Sequence, residues 1–201
     1  MIHIVGIGPG SPELMTGAGA LLIQKADVIV GSKRQLGEIP QDNPAERKLL
    51  PTQLSELEAF LLERIGHDIV LLASGDPLIY GIGNWALQKF PPEQLQIVPG
   101  ISSIQYLCSR CGIAMNDLYM TSSHGKQPDF DFLLAHPKVA MVTDSKLGPA
   151  EIAQEILRRK LHKTLVIGEN LSYPDERLHR LKPEQVAARY DMNVVVILDE
   201  G

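Results

Sequence analysis

Apolar runs alternate with amphipathic stretches along the whole chain. In the first half, four short runs at 2–7, 27–31, 69–73 and 95–98 are rich in Ile, Val and Leu. Runs of that length and composition read as strands buried on both faces. Between them the helical spacing of apolar residues predicts helices over roughly 16–25, 55–66, 80–89 and 102–111. Thr16 and Ser55 are the expected N-caps, and Glu58 stands three residues after Ser55, the capping-box spacing. The segment 112–117 has little periodicity and reads as a hinge. Beyond it the pattern resumes: strand 118–122, helix 129–135, strand 138–143, helix 149–161, strand 163–169, a short helix 183–190 and strand 193–198. Strand–helix alternation implies right-handed crossovers and parallel sheet. The expected organisation is two α/β lobes, 1–113 and 118–201, with 118–122 able to join either sheet. The segment 36–54 carries three prolines and little periodicity, and is expected to be a long loop.

Composition adds bounds. The 201 residues are 44% hydrophobic and 21% charged, an ordinary globular mixture. The net charge of −5 argues against nucleic acid as a partner, because phosphate contacts need a basic face. The first strand starts at residue 2 with no basic stretch before it, and Gln24, Lys25 and Asp27 interrupt the longest apolar candidate for a membrane span. The expectation is a cytoplasmic chain with no membrane partner.

The first strand runs straight into Gly6-Ile7-Gly8-Pro9-Gly10. A Rossmann loop would need its third glycine where Ser11 stands, and a phosphate cradle aims N–H groups that Pro9 lacks. The loop makes a tight turn that lets something other than a pyrophosphate approach its backbone. Three more segments follow the next strands: Gly31-Ser32-Lys33-Arg34, Ser74-Gly75-Asp76-Pro77 and Pro99-Gly100-Ile101-Ser102-Ser103. In an open parallel sheet such segments share the edge that carries the ligand crevice. Ser122-Ser123-His124-Gly125-Lys126 would add a histidine and a lysine to that rim if 118–122 joined the same sheet in parallel. Each segment alone also reads as turn or capping chemistry; their coincidence on one edge points to function. No metal-ligand spacing and no Gly-x-Ser-x-Gly elbow is present. Cys108 and Cys111 have redox spacing but fall late in a helix, away from the N-terminal end that would stabilise a thiolate, so they read as core.

At these residues the chain resembles the tetrapyrrole methylase family of S-adenosylmethionine (SAM) methyltransferases. The markers are Val5–Gly10 followed by Leu14-Met15-Thr16, then Gly75-Asp76-Pro77, then Pro99–Ser102. Within the family, Val30–Leu36, Ala73–Gly83, Ser123-His124-Gly125, Val142-Thr143-Asp144 and Glu169–Arg177 resemble the precorrin and cobalt-precorrin methyltransferases acting on carbon 5 of the corrin ring. Lys126 departs from the His-Gly-Arg of that branch, keeping charge but losing the bidentate fork.

The resemblance implies two α/β lobes, a mainly parallel N-terminal sheet and a mixed C-terminal sheet, and a homodimer. It implies SAM bound between the lobes, with Pro9, Asp76, Ile79, Ser102, Ser103, Thr143, Leu171 and Asn193 as cofactor-binding residues. Lys33, Arg34, His124 and Lys126 would meet the carboxylates of a precorrin or cobalt-precorrin substrate, and His124 would be the base that takes the ring proton. Some homologues carry a second half that methylates carbon 15 and decarboxylates; at this length that activity is expected on a separate polypeptide. The rival readings are another tetrapyrrole methylase, such as a uroporphyrinogen enzyme, a nucleotide-dependent oxidoreductase, and a non-catalytic α/β binding module.

Overall fold

A computed structural model describes residues 1–123 and 128–199. The chain divides into two compact units, 1–102 and 103–201. The first contains β1 (Ile2–Gly6), α1 (Gly17–Lys25), β2 (Val28–Gly31), α2 (Lys33–Gly37), β3 (Glu46–Leu49), α3 (Leu54–Glu63), β4 (Ile69–Ala73), α4 (Gly83–Lys89) and β5 (Leu95–Val98). Its strands form one sheet in the order β3-β2-β4-β1-β5, and every pairing is parallel.

Strand alternation splits the apolar residues between two faces. Ile2, Ile4, Val28, Val30, Ile69, Leu71 and Ala73 pack with Leu57 and Leu61 of α3 and Ala86 of α4. Val5, Ile29, Val70 and Leu72 pack on the opposite face with Ile23 of α1 and Ile39. That two-sided burial explains why β1, β2 and β4 read as continuous apolar runs.

The second unit contains α5 (Ser103–Cys111), β6 (Tyr119–Ser122), α6 (Phe130–Leu134), β7 (Lys138–Val142), α7 (Pro149–Arg158), β8 (Lys163–Glu169), β9 (Arg177–Leu181) and β10 (Asn193–Asp199). The sheet order is β6-β7-β10-β8-β9. Only β6–β7 is parallel; the other pairings are antiparallel, so the sheet is mixed. Val139, Met141, Leu165, Ile167, Val195 and Ile197 face α6 and α7. Ala140, Val166, Val194 and Val196 face Ile104, Leu107 and Cys108 of α5.

Several sequence expectations change. Helix 103–111 packs on the second sheet, so the first unit ends before it and not at residue 113. The segment 36–54 is not one loop: it holds β3 and the end of α2. β3 is a charged, exposed edge strand and β9 has alternating charge, so neither has an apolar run to announce it. Thr16 caps α1 by accepting the Gly19 N–H at 3.2 Å, but α3 starts at Leu54 with Gln53 as its uncapped N-terminal neighbour, so Ser55 is not a cap. The expected helix 183–190 is one 3-10 turn, Pro183–Gln185.

Candidate active-site rim and cofactor residues

All five strands of the first sheet are parallel, so the loops after β1, β2, β4 and β5 leave from one edge. β4, β1 and β5 are neighbours in the sheet, and their following loops are tied backbone to backbone. Gly8 N–H donates to Gly75 O at 3.3 Å and Gly75 N–H to Gly8 O at 2.8 Å. A Cβ on Gly6 would lie 2.6 Å from Gly100 N and 2.7 Å from Gly75 O, which is steric overlap. The glycines of three sequence motifs therefore touch one another. Gly8 also adopts φ +81°, open to glycine at no cost.

Asp76 holds two of these loops together. One carboxylate oxygen accepts the Leu78 N–H at 2.8 Å; the other accepts the Gly100 N–H at 3.2 Å. Pro9, in the loop after β1, and Ile79, shortly after Asp76, are half-buried, and Ser102 is buried at the end of the first unit. Ser103 opens the second unit as the first residue of α5.

After β2, Ser32 and Gln35 form a capping box: Ser32 Oγ accepts the Gln35 N–H, and Gln35 Oε1 accepts the Ser32 N–H. This fixes α2 at the rim. Lys33 is exposed on its first turn. Arg34 is not a free cation: it pairs with Glu38 at 2.9 Å and donates to Ser74 Oγ at 2.8 Å. Gln35 Nε2 donates to the same oxygen at 3.0 Å. Ser74 belonged to a motif in the sequence but carried no role there.

In the second unit, Thr143 and Asn193 meet. Thr143 follows β7, Asn193 opens β10, and Thr143 Oγ1 lies 2.8 Å from both the backbone and side-chain oxygens of Asn193. Leu171 is buried among the α5-face residues. Asn193 sits opposite Glu169 across the β10–β8 ladder. Glu169 is only 3% exposed, and its carboxylate gathers the Asp191 N–H at 2.8 Å, His179 Nε2 at 2.6 Å and Arg177 at 3.2 Å. These residues line an open cavity of about 570 Å³ with Tyr190. The sequence reading gave this group no role. Its signal is a glutamate ending the apolar run of β8, since a carboxylate there must find partners.

Strand 119–122 joins the second sheet, parallel to β7, so it does not extend the rim of the first. His124 and Lys126, expected there, lie outside the described residues. Burial raises the thiol pKa of both Cys108 and Cys111, as an inert packed pair requires. Among the described residues, no three His, Cys, Asp or Glu are grouped to hold a metal.

Residues 1–187 match the family model Tetrapyrrole (Corrin/Porphyrin) Methylases. The chain is 48% identical over 201 residues, the full length of both, to the cobalt-precorrin-7 C(5)-methyltransferase of Salmonella typhimurium strain LT2. It is 29% identical over 200 residues to the decarboxylating precorrin-6Y C(5,15)-methyltransferase of a Sinorhizobium species, covering 96% of this chain and 47% of that one. Among solved structures, the precorrin-6Y methylase of Archaeoglobus fulgidus matches with TM-score 0.78 at 22% identity, over 100% of this chain and 99% of that one. The uroporphyrin-III C-methyltransferase of Thermus thermophilus, in complex with S-adenosylhomocysteine, matches with TM-score 0.78 at 24% identity, over 98% and 96%. With both sheets in the arrangement its motifs imply, and a family match over most of its length, this chain belongs to the tetrapyrrole (corrin/porphyrin) methylases.

Proposed function

We propose that this chain transfers a methyl group from SAM to carbon 5 of precorrin-7 or cobalt-precorrin-7 in corrin synthesis. One observation carries the reading: 48% identity over 201 residues, covering 100% of both chains, to a relative named for that reaction. The residues fit SAM better than a nucleotide. The opening loop brings Gly8 backbone close to its neighbours and then places Pro9, so no row of N–H groups is available for phosphate. Pro9, Asp76, Ile79, Ser102 and Ser103 would hold the cofactor from the segments after β1, β4 and β5; Thr143, Leu171 and Asn193 would do so from the ends of β7, β8 and β10. Asp76 also fixes the loops around that contact: each of its oxygens accepts one backbone N–H group and keeps a lone pair for the cofactor.

When bound, SAM supplies an electrophilic methyl on a sulfonium. The acceptor is a conjugated, electron-rich ring, so the protein's main task is alignment of the ring carbon. The substrate is a polycarboxylate and the chain is acidic overall, so cations must be concentrated locally. Lys33, Arg34, His124 and Lys126 are the proposed contacts, with Arg34 acting partly through Ser74. His124 is the proposed acceptor of the proton that leaves carbon 5.

The same reading makes the chain a cytoplasmic homodimer, with any carbon-15 methylation and decarboxylation on a separate enzyme. No described helix is long and apolar enough to cross a membrane. Sedimentation equilibrium checks the dimer.

Incubation with labelled SAM and either precorrin-7 or cobalt-precorrin-7, followed by mass spectrometry and NMR of the product, tests the assignment. One added methyl at carbon 5 is expected, and the faster of the two substrates identifies the metal state. A methyl at another ring position would reassign the chain within the family. His124→Ala should leave S-adenosylhomocysteine affinity nearly unchanged and cut turnover by roughly 100-fold if His124 is the proton acceptor. A loss confined to the Michaelis constant would make it a substrate-orienting group.

A further inference from the structure

Ser74 directly follows β4 and is exposed on the rim formed by the carboxyl ends of the first sheet. Two donors converge on its hydroxyl oxygen: Arg34 Nη2 at 2.8 Å and Gln35 Nε2 at 3.0 Å. Neither can be anything but a donor. A guanidinium has no acceptor atom. The Gln35 amide is oriented by its other end, where Oε1 takes the Ser32 N–H at 2.7 Å, so its nitrogen must face Ser74. Gln35 is itself 5% exposed and locked in the capping box of α2.

A serine hydroxyl has two lone pairs and one proton. Here both lone pairs are taken, so Ser74 can act only as a donor. No acceptor for its proton is present among the described residues. The positive Arg34 polarises the hydroxyl and strengthens it as a donor.

We propose that Ser74 is a dedicated hydrogen-bond donor to a ligand carboxylate, and so a specificity-determining residue of the methyl-transfer site. This rests on the function proposed above. Charge selects the acceptor: Glu38 balances Arg34, which still donates to the hydroxyl, and Lys33, exposed on the adjoining turn, leaves the group net positive, so an anionic oxygen is favoured over a neutral carbonyl. Two ligands carry such a group. The macrocycle has acetate and propionate side chains, and the cofactor has the carboxylate of its methionyl end.

The test uses Ser74→Ala and Ser74→Thr in the full chain. It reads S-adenosylhomocysteine affinity by calorimetry, steady-state kinetics with the tetrapyrrole, and thermal unfolding. Loss of a charge-assisted donor should weaken one affinity by about tenfold in Ser74→Ala, while Ser74→Thr, which keeps the hydroxyl, stays within about threefold. A rise in the apparent Michaelis constant for the tetrapyrrole, with S-adenosylhomocysteine affinity and kcat unchanged, assigns the carboxylate to the macrocycle. Weaker S-adenosylhomocysteine binding alone assigns it to the cofactor. Unchanged values for both ligands overturn the proposal. So does an equal loss in Ser74→Thr accompanied by a lowered melting temperature, which would make Ser74 only a tie between β4 and α2. A wild-type chain inactive on precorrin-7 and cobalt-precorrin-7 defeats the substrate assignment separately; S-adenosylhomocysteine affinity then decides on Ser74, a tenfold loss in Ser74→Ala upholding the donor and no loss overturning it.

Discussion

Asp76 shows how one carboxylate serves both stability and binding. Its two oxygens accept N–H groups from Leu78 and from Gly100, 24 residues away. Asp76→Ala leaves both donors short of a charged acceptor, and should cost about 2 kcal/mol by chemical denaturation. It should also weaken S-adenosylhomocysteine per folded molecule, since the loops after β4 and β5 are no longer fixed to each other. An unchanged unfolding midpoint would show that the carboxylate does not staple the loops. The cysteines behave differently. Cys108 is 1% exposed among apolar neighbours, whereas Cys111 is half-buried. Cys108→Ser places a hydroxyl in that core and should cost about 1–3 kcal/mol; Cys111→Ser should cost less, and methyl transfer should survive in both. Burial raises both thiol pKa values, so the native chain should react slowly with a thiol reagent and quickly once unfolded.

The loops after β1, β4 and β5 depend on glycine because their backbones touch. A Cβ on Gly100 would collide with the carbonyl oxygen of Gly75, and backbone cannot yield as a flexible side chain can. Gly100→Ala should therefore destabilise by about 3 kcal/mol or more and weaken cofactor binding; a near-neutral midpoint in denaturant would mean that the loops relax freely. The turn between β8 and β9 is built differently, from side chains. Asn170 and Ser172 adopt positive φ, and Glu176 accepts the Ser172 N–H at 2.7 Å and pairs with Arg110 of α5. Burial alone would raise the Glu176 pKa, but the Ser172 N–H, Tyr106 and Arg110 together lower it. A depressed carboxylate pKa contributes stability that is present above its unfolded-state value and is lost as pH falls through the folded-state value. Glu176→Gln should thus destabilise at neutral pH by about 1–2 kcal/mol. The gap to wild type should narrow on acidification below the ordinary carboxylate range. A pH-independent gap would assign the loss to packing.

Across the molecule, ligand choice separates the methylase reading from a nucleotide-binding one. At a hundredfold excess over its dissociation constant, a ligand of the native state adds about 2.7 kcal/mol. S-adenosylhomocysteine should then raise the melting temperature by about 5–10 °C, with little shift from NAD or ATP. A larger shift with NAD would sink the assignment. Much of the architecture was already legible in the residues. β1, β2, β4 and β8 appear as apolar runs because strands covered on both faces need little polar surface, and each rim motif marks a strand end. The sequence by itself determined the strand–helix alternation, the parallel first sheet, the rim glycines with Asp76, and the family. Only the tertiary structure decided the rest. Edge strands β3 and β9 draw their stability from one neighbour's backbone, which leaves no apolar signature. The helix 103–111 has one apolar face and could have covered either sheet; its packing partners chose the second. Arg34 reads as a free cation until Glu38 and Ser74 come within reach, and Ser74 becomes an obligate donor only when Arg34 and Gln35 fill its lone pairs. Those roles belong to contacts between residues up to 40 positions apart, and local sequence pattern carries no record of such distances.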